Sequence, residues 1–118
     1  MSEPDPRRGD VWYVDFNPAK GSEIKKERPA VVISSDALGV LPVKLVVPLT
    51  EWNPSYEGKV WIVRVGPTER NGLQKVSAAE TLQSRSVSLM RLTQKVGALE
   101  EDRLEQVVAA LAILVEVH

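Results

Sequence analysis

The stretch that decides the fold is RRGDVWYVDFNPAKGSEIKKERPAVVIS, residues 7–34. In its first half, Trp12, Val14 and Phe16 recur at every second position, and a period of two is typical of a β-strand. The pair Asn17–Pro18 ends this strand, because asparagine and proline favour turns. The first half therefore predicts a strand over GDVWYVDF.

A second strand is predicted over PAVVISS, at the end of the same stretch. Proline cannot donate a hydrogen bond to a strand ladder, so Pro29 is expected to be the first residue of this strand. The loop between the two strands, Asn17–Arg28, is twelve residues long and rich in charge. Loops of this length in compact domains are usually functional or disordered, so a functional loop ending at an arginine is predicted.

The rest of the chain continues as short strands until a change of period near its end. VKLVVPLT and GKVWIVRV predict a third and a fourth strand, and two or three shorter ones are expected within residues 74–99. About five to seven strands with one closing helix favour a small, strongly bent barrel, mainly β with a C-terminal helix. The helix is predicted over residues 100–117, where apolar residues recur at spacings of three and four: Leu104, Val107, Val108, Leu111, Leu114 and Val115.

Composition limits the classes of function. A chain of 118 residues predicts a single domain over 1–118, with residues 1–7 as a loose lead. The chain has no cysteine, which fits a reducing cytoplasm, and no apolar run long enough for a membrane span or a signal peptide. Its single histidine is His118, so a histidine-pair nuclease, a Ser-His-Asp hydrolase and a histidine-rich metal site are excluded.

Charge is unevenly distributed along the chain, although the formal net charge is only −1. Residues 58–95 hold seven basic and two acidic residues, a net of +5, whereas residues 99–118 hold one basic and five acidic residues, a net of −4. An acidic helix therefore masks a basic barrel. A local positive face is sufficient to attract a phosphate backbone.

Several residues are candidates for contact with such a backbone. Lys25, Lys26 and Arg28 lie together, and Pro29 holds the residue before it in extended geometry, which fixes the guanidinium of Arg28. A planar guanidinium fork suits phosphate. Thr50, at the end of the third strand, offers a hydroxyl. Trp52, in a loop, is the candidate platform for base stacking, whereas Trp12 and Trp61 lie on strand faces and are predicted to be core residues.

The chain resembles the MazF/PemK-type toxins. The resemblance is carried by the Gly-Asp strand start, the Asn-Pro stop, the Gly-Ser-Glu loop and the Arg-Pro pair within residues 7–34, and it continues through VVPLT, ETLQSRSVSLMRL and VGALEEDRLEQVV. It implies an SH3-like (CcdB/PemK-type) barrel, a homodimer in the cytoplasm, and cleavage of single-stranded RNA at short sequences without a metal or other cofactor. It also implies a cognate antitoxin whose flexible acidic segment occupies the RNA groove.

The resemblance assigns roles to particular positions. The family's catalytic arginine and threonine fall on Arg28 and Thr50. Its RNA-binding loop falls on Gly21, Ser22 and Glu23, and its Gln-x-Arg pair falls on Gln83 and Arg85. Many relatives carry an acidic residue directly before that glutamine, whereas this chain has Leu82 there and Glu80 two positions earlier, which leaves the base specificity open.

The expected reaction is attack by the 2′-hydroxyl of the RNA on the adjacent phosphate, which leaves a 2′,3′-cyclic phosphate and a 5′-hydroxyl. Arg28 is expected to clamp the phosphate and donate a proton, and the general base stays open, with Glu23 as a candidate. Two other functions are kept: a binding module without catalysis, since SH3-like barrels often only bind, and a gyrase-poisoning toxin of the same fold. The gyrase poisons lack the Arg-Pro/Thr pairing and end in Gly-Trp-Ile, whereas this chain ends LVEVH.

Overall fold

One strongly curved antiparallel sheet carries nearly all the regular structure, and a single helix packs on one of its faces. The computed structural model describes residues 5–117. Short 3-10 turns join several of the strands. The elements are β1 (Asp10–Asp15), β2 (Glu27–Val32), β3 (Val43–Glu51), β4 (Ile62–Val65), β5 (Ser77–Glu80), β6 (Arg85–Ser88), β7 (Leu92–Ala98) and α1 (Glu101–Leu114).

The long strand β3 joins the two halves of the sheet. The strand order is β4-β5-β3-β2-β1-β7, and β6 pairs with the first half of β3, while β5 pairs with its last three residues. The 3-10 turn Thr81–Gln83 separates β5 from β6, so the chain changes direction along the same partner strand. This arrangement confirms the predicted β architecture with a C-terminal helix.

Apolar side chains are buried on both faces of the sheet. On the helix side, Val11, Val31 and Leu49 pack with Leu104 and Val107 of α1. On the other side a second buried cluster contains no helix residue, and Ile24 of the loop between β1 and β2 packs against it. The charged loop is therefore attached to the sheet by an apolar side chain. The second cluster consists of Trp12, Val14, Phe16, Ala30, Val32, Val46, Val87 and Leu92.

The predicted boundaries need three corrections. β2 begins at Glu27, so Pro29 is its third residue and not its first. The proline is tolerated there because pairing of β2 with β3 begins only at Ala30, which leaves that edge of the strand unpaired at Pro29. β4 begins at Ile62, later than predicted, and Trp61 is a half-buried residue before the strand rather than a core residue on its face.

The ends of the predicted elements also differ from the structure. Residues 1–4 of the predicted loose lead, and His118, lie outside the described range. The part of the lead that is described lies against the sheet, because Pro6 is buried and Asp5 forms an ion pair with Lys44 of β3 at 3.6 Å. Helix α1 ends at Leu114, and the exposed Val115, predicted to face the core, follows the helix.

Candidate functional site

Arg28 and Thr50 lie on neighbouring strands, across the point where those strands part. β2 and β3 pair up to Ala30 opposite Pro48, and Arg28 and Thr50 each lie two residues beyond that pair, on the same side of their strand as Ala30 and Pro48. Residues that face each other across an antiparallel ladder point to the same side of the sheet. The structure therefore brings the two predicted catalytic residues together.

These two residues line an open groove of about 200 Å³, which we call the Arg28 groove. The groove forms where β2 and β3 part, beyond their last pair at Ala30 and Pro48. Lys75 also lines it and forms an ion pair with Glu51 at 3.7 Å. The full lining is Tyr13, Arg28, Pro29, Leu49, Thr50, Glu51, Gly72, Leu73, Gln74, Lys75, Ser77 and Val96.

The guanidinium of Arg28 is available to a ligand. Its Nε donates to the carbonyl of Lys25 at 3.2 Å, which orients the side chain. Within residues 5–117 no carboxylate lies within 4.0 Å of it. Arg28 is half-buried and is the second residue of β2, so the strand, rather than a loop hinge, fixes its position. Its terminal nitrogens are therefore free to receive an anion.

Glu80 contacts Thr50 directly, and its role was missed in the sequence. The Thr50 hydroxyl donates to Glu80 Oε2 at 2.9 Å. The contact follows from the register, because Thr50 pairs with Ala78 and Glu80 lies two residues further on the same side of β5. No local sequence pattern reveals it, since Thr50 and Glu80 are 30 residues apart.

The loop between β1 and β2 is held by specific hydrogen bonds. Asn17 Oδ1 accepts from the backbone N–H of Lys26, whose φ of 71° is uncommon for a residue with a side chain. Glu23 Oε1 accepts from the N–H of Lys20 at 2.6 Å, within the loop. Gly21, Ser22, Glu23, Lys25 and Lys26 are all exposed.

Gln83 and Arg85 line a second groove of about 350 Å³ with Glu23, which we call the loop groove. The side-chain amide of Gln83 accepts from the N–H of Ile24 and donates to the carbonyl of Ser22, both at 3.3 Å. Arg85 lies over the ring of Phe16, 5.9 Å from its centroid. Pro48, two residues before Thr50, also lines this groove, so β3 passes directly from the loop groove to the Arg28 groove.

Trp52 lies beyond the end of β3, next to the Arg28 groove. It is half-buried, and its backbone N–H donates to the carbonyl of Val76 at 3.0 Å. Arg64 lies over its ring and Tyr56 meets its edge, two contacts that the sequence did not predict. Five of the ten predicted site residues line the two grooves: Arg28, Thr50, Glu23, Gln83 and Arg85. Four more lie on the exposed loop between β1 and β2, namely Gly21, Ser22, Lys25 and Lys26, and Trp52 follows β3.

Residues 5–117 contain no group of three or more His, Cys, Asp or Glu side chains that could hold a metal ion. Among the same residues, no helix is long and apolar enough to cross a membrane.

The curved seven-stranded antiparallel sheet with one C-terminal helix defines an SH3-like barrel protein. Residues 7–115 match the family described as the PemK-like, MazF-like toxin of type II toxin–antitoxin systems. The chain belongs to this toxin family, as its sequence predicted.

Relatives and solved structures agree with this family. The chain is 36% identical over 114 residues to endoribonuclease MazF9 of Mycobacterium tuberculosis, covering 91% of this chain and 93% of that protein. It is 30% identical over 108 residues to endoribonuclease EndoA of Bacillus subtilis, covering 91% of each. Its fold matches MazF from Deinococcus radiodurans with a TM-score of 0.80, at 25% identity over 98% of this chain and 100% of that one.

Proposed function

We propose that this protein is a toxin endoribonuclease that cleaves single-stranded RNA in the Arg28 groove. The observation that carries the proposal is the placement of Arg28 and Thr50 at the open junction of β2 and β3. The guanidinium can bind two oxygens of one phosphate, and the Thr50 hydroxyl, which donates to Glu80, presents its oxygen beside it as an acceptor. The relatives named endoribonucleases, which align over most of the chain, support the same activity.

The reaction that fits this groove uses the RNA's own 2′-hydroxyl as nucleophile. Its oxygen bonds to the adjacent phosphorus, the bond from phosphorus to the 5′-oxygen breaks, and a 2′,3′-cyclic phosphate and a 5′-hydroxyl result. Arg28 stabilises the charge that develops on the phosphorane and donates a proton to the leaving oxygen. The side chains that do this belong to the protein, so no metal ion is required.

Glu80 positions Thr50 through its hydrogen bond, whereas Glu51 lines the Arg28 groove and pairs with Lys75. Because the Thr50 hydroxyl donates to Glu80 at 2.9 Å, its oxygen lone pairs face away from Glu80 and can accept the proton of the 2′-hydroxyl, which then passes to the carboxylate. A guanidinium has hydrogen-bond donors and no lone pair that accepts a proton, so Arg28 is a poor base. Glu23, the other candidate base, lines the loop groove and accepts a hydrogen bond from Lys20.

The function is tested by incubating the purified protein with a long single-stranded RNA in the presence of EDTA. The proposal expects discrete fragments that carry 5′-hydroxyl and 2′,3′-cyclic phosphate ends. A shift in RNA mobility without cutting would favour the binding module, and trapped gyrase–DNA complexes would favour the gyrase poison. Loss of cutting on addition of EDTA would contradict the metal-free mechanism.

A cognate antitoxin is expected to inhibit by occupying the same surface. Lys25, Lys26 and Arg85 are cations beside the two grooves, and a flexible acidic segment would pair with them. Reversal of these three charges to Glu should weaken both the antitoxin and a non-cleavable RNA, and saturating RNA should displace the antitoxin segment. Antitoxin binding that persists at saturating RNA would place inhibition elsewhere.

The active form is proposed to be a homodimer. Large apolar side chains are exposed around the C-terminal end of α1 and on β3 with its neighbouring loop, and single small domains rarely leave such patches uncovered. Light scattering at micromolar concentration should give twice the chain mass, and a monomer mass would contradict the proposal. The exposed residues are Val60, Ile113, Val115 and Val117 in the first patch, and Leu38, Val40, Leu41, Val43, Leu45 and Met90 in the second.

A further inference from the structure

Five side chains between residues 52 and 64 form a continuous run of three rings and two cations, which we call the aromatic–cation ladder: Arg64, Trp52, Tyr56, Lys59 and Trp61. Arg64 lies over Trp52, with 5.4 Å from its guanidinium carbon to the ring centroid, and Tyr56 meets Trp52 edge-on with 5.7 Å between centroids. The Lys59 ammonium lies 5.9 Å from the centroids of both Tyr56 and Trp61. The three rings are half-buried, and the two cations are exposed.

The ladder begins beside the Arg28 groove and on the same side of the sheet. Arg64 pairs with Ala78, and Ala78 pairs with Thr50, so the three side chains form one cross-strand row. Strands in a sheet lie about 4.8 Å apart, so two spacings put Arg64 roughly 10 Å from Thr50. Trp52 follows Thr50 by two residues. A strand of RNA bound at Thr50 can therefore continue onto the ladder.

The ladder is not explained by packing of the core. The chain has only three Trp, two Tyr and one Phe, and three of these six rings are in the ladder. The two buried clusters use Trp12 and Phe16 but no ring of the ladder. Within residues 5–117, neither Lys59 nor Arg64 has a carboxylate within 4.0 Å. The positive charges and the exposed parts of the rings are thus left for a ligand.

We propose that the aromatic–cation ladder is a subsite for the unpaired nucleotides that adjoin the cleaved phosphate. The rings would stack on bases, and Lys59 and Arg64 would pair with phosphates, as in proteins that bind single-stranded nucleic acid without reading its sequence. The subsite rests on the proposed function, because the groove next to it supplies the reason for RNA to be there. It adds affinity for longer RNA and does not select the bases.

The test uses 2′-O-methyl oligonucleotides, which lack the attacking hydroxyl and so cannot be cut. Affinity is measured for a length series from about four to twelve nucleotides, with Tyr56→Leu, Lys59→Gln and, as a matched exposed-cation control, Arg7→Gln before β1. Tyr56→Leu should weaken the longest probe roughly 5- to 100-fold and leave the shortest unchanged. Lys59→Gln should weaken the long probe and reduce its salt dependence, and Arg7→Gln should do neither.

Abasic nucleotides separate stacking from charge. An abasic position over the ladder should weaken binding to the unaltered protein but have no added effect on Tyr56→Leu. The proposal would be overturned if Tyr56→Leu and the unaltered protein bound RNA of every length with equal affinity. It would also be overturned if Tyr56→Leu lost affinity for an acidic peptide but not for RNA. Cleavage of a long RNA by the unaltered protein is measured in parallel. If the protein cuts RNA but Tyr56→Leu binds long and short probes as the unaltered protein does, only the ladder subsite is refuted. If Tyr56→Leu loses affinity for the long probes but the unaltered protein cuts no RNA, only the nuclease function is refuted.

Discussion

Replacement of Glu80 should slow cleavage while strengthening RNA binding. Glu80 accepts the hydrogen bond of Thr50 at 2.9 Å, and hydrogen bonds to charged groups contribute about 1.5–3 kcal/mol. If Glu80→Ala loses the whole free energy with which this hydrogen bond holds the Thr50 hydroxyl, the rate of the chemical step should fall roughly 10- to 150-fold, because 1.36 kcal/mol corresponds to a factor of ten. Glu80→Gln keeps a hydrogen-bond acceptor for Thr50 but cannot take up the proton, so its loss of rate should be of similar size.

Binding should change in the opposite direction. A carboxylate beside the phosphate repels it, so both Glu80 variants should bind a non-cleavable RNA more tightly than the unaltered protein does. A residue that merely supports the fold would not give this split between rate and affinity.

The assay is single-turnover cleavage of an end-labelled RNA, with affinity measured separately on the 2′-O-methyl form. Glu105→Gln, an exposed carboxylate on α1, is the matched control and should change neither quantity. A rate for Glu80→Ala within about threefold of the unaltered protein would refute the positioning of Thr50 by Glu80. Thermal unfolding of each variant shows whether the fold is retained.

Three further changes test other parts of the account. Thr50→Ala should slow cutting while RNA still binds, and Thr50→Ser should recover most of the rate; equal defects would mean that the methyl group packs the strand. Gly97→Ala should lower stability by about 1–3 kcal/mol in urea unfolding, because a Cβ there would lie 2.5 Å from the carbonyl oxygen of Arg70; an unchanged midpoint would contradict that contact. The hydrogen bond that Thr68 donates to Glu100, 2.6 Å long, lowers the pKa of Glu100 below its usual 4.5. The ionised Glu100 carboxylate therefore stabilises the fold above that pH, and this stabilisation is lost as the pH falls through the lowered pKa. Glu100→Gln should therefore flatten the loss of melting temperature between about pH 5 and pH 3, and parallel curves for both proteins would contradict this.

The sequence was sufficient for the family and the β architecture, and it pointed to two residues, Arg28 and Thr50, that line one groove of the structure. Period-two patterns located β1 and β3, and the change to spacings of three and four located α1. Arg28 and Thr50 carried both a chemical argument and a family resemblance. Those signals are local, so a single sequence can show them.

The rest depended on pairing between distant strands. β2 can start before Pro29 because its edge next to β3 is unpaired there. No local sequence pattern reveals this lack of pairing. Glu80 meets Thr50, and Arg64 meets Trp52, only because β5 and β4 follow β3 in the sheet. Residues 10–16 also bury side chains on both faces of the sheet, so alternation predicted the strand but not its two cores.

The central claim is that Arg28 performs the chemistry of RNA cleavage. The most direct measurement is the single-turnover rate of Arg28→Ala and Arg28→Lys on an RNA that the unaltered protein cuts, with unfolding checked for each. The account predicts a loss of roughly 10²–10³ for Arg28→Ala with the fold intact, and a large loss for Arg28→Lys because an ammonium lacks the planar fork. A rate for Arg28→Ala within about threefold of the unaltered protein would contradict it.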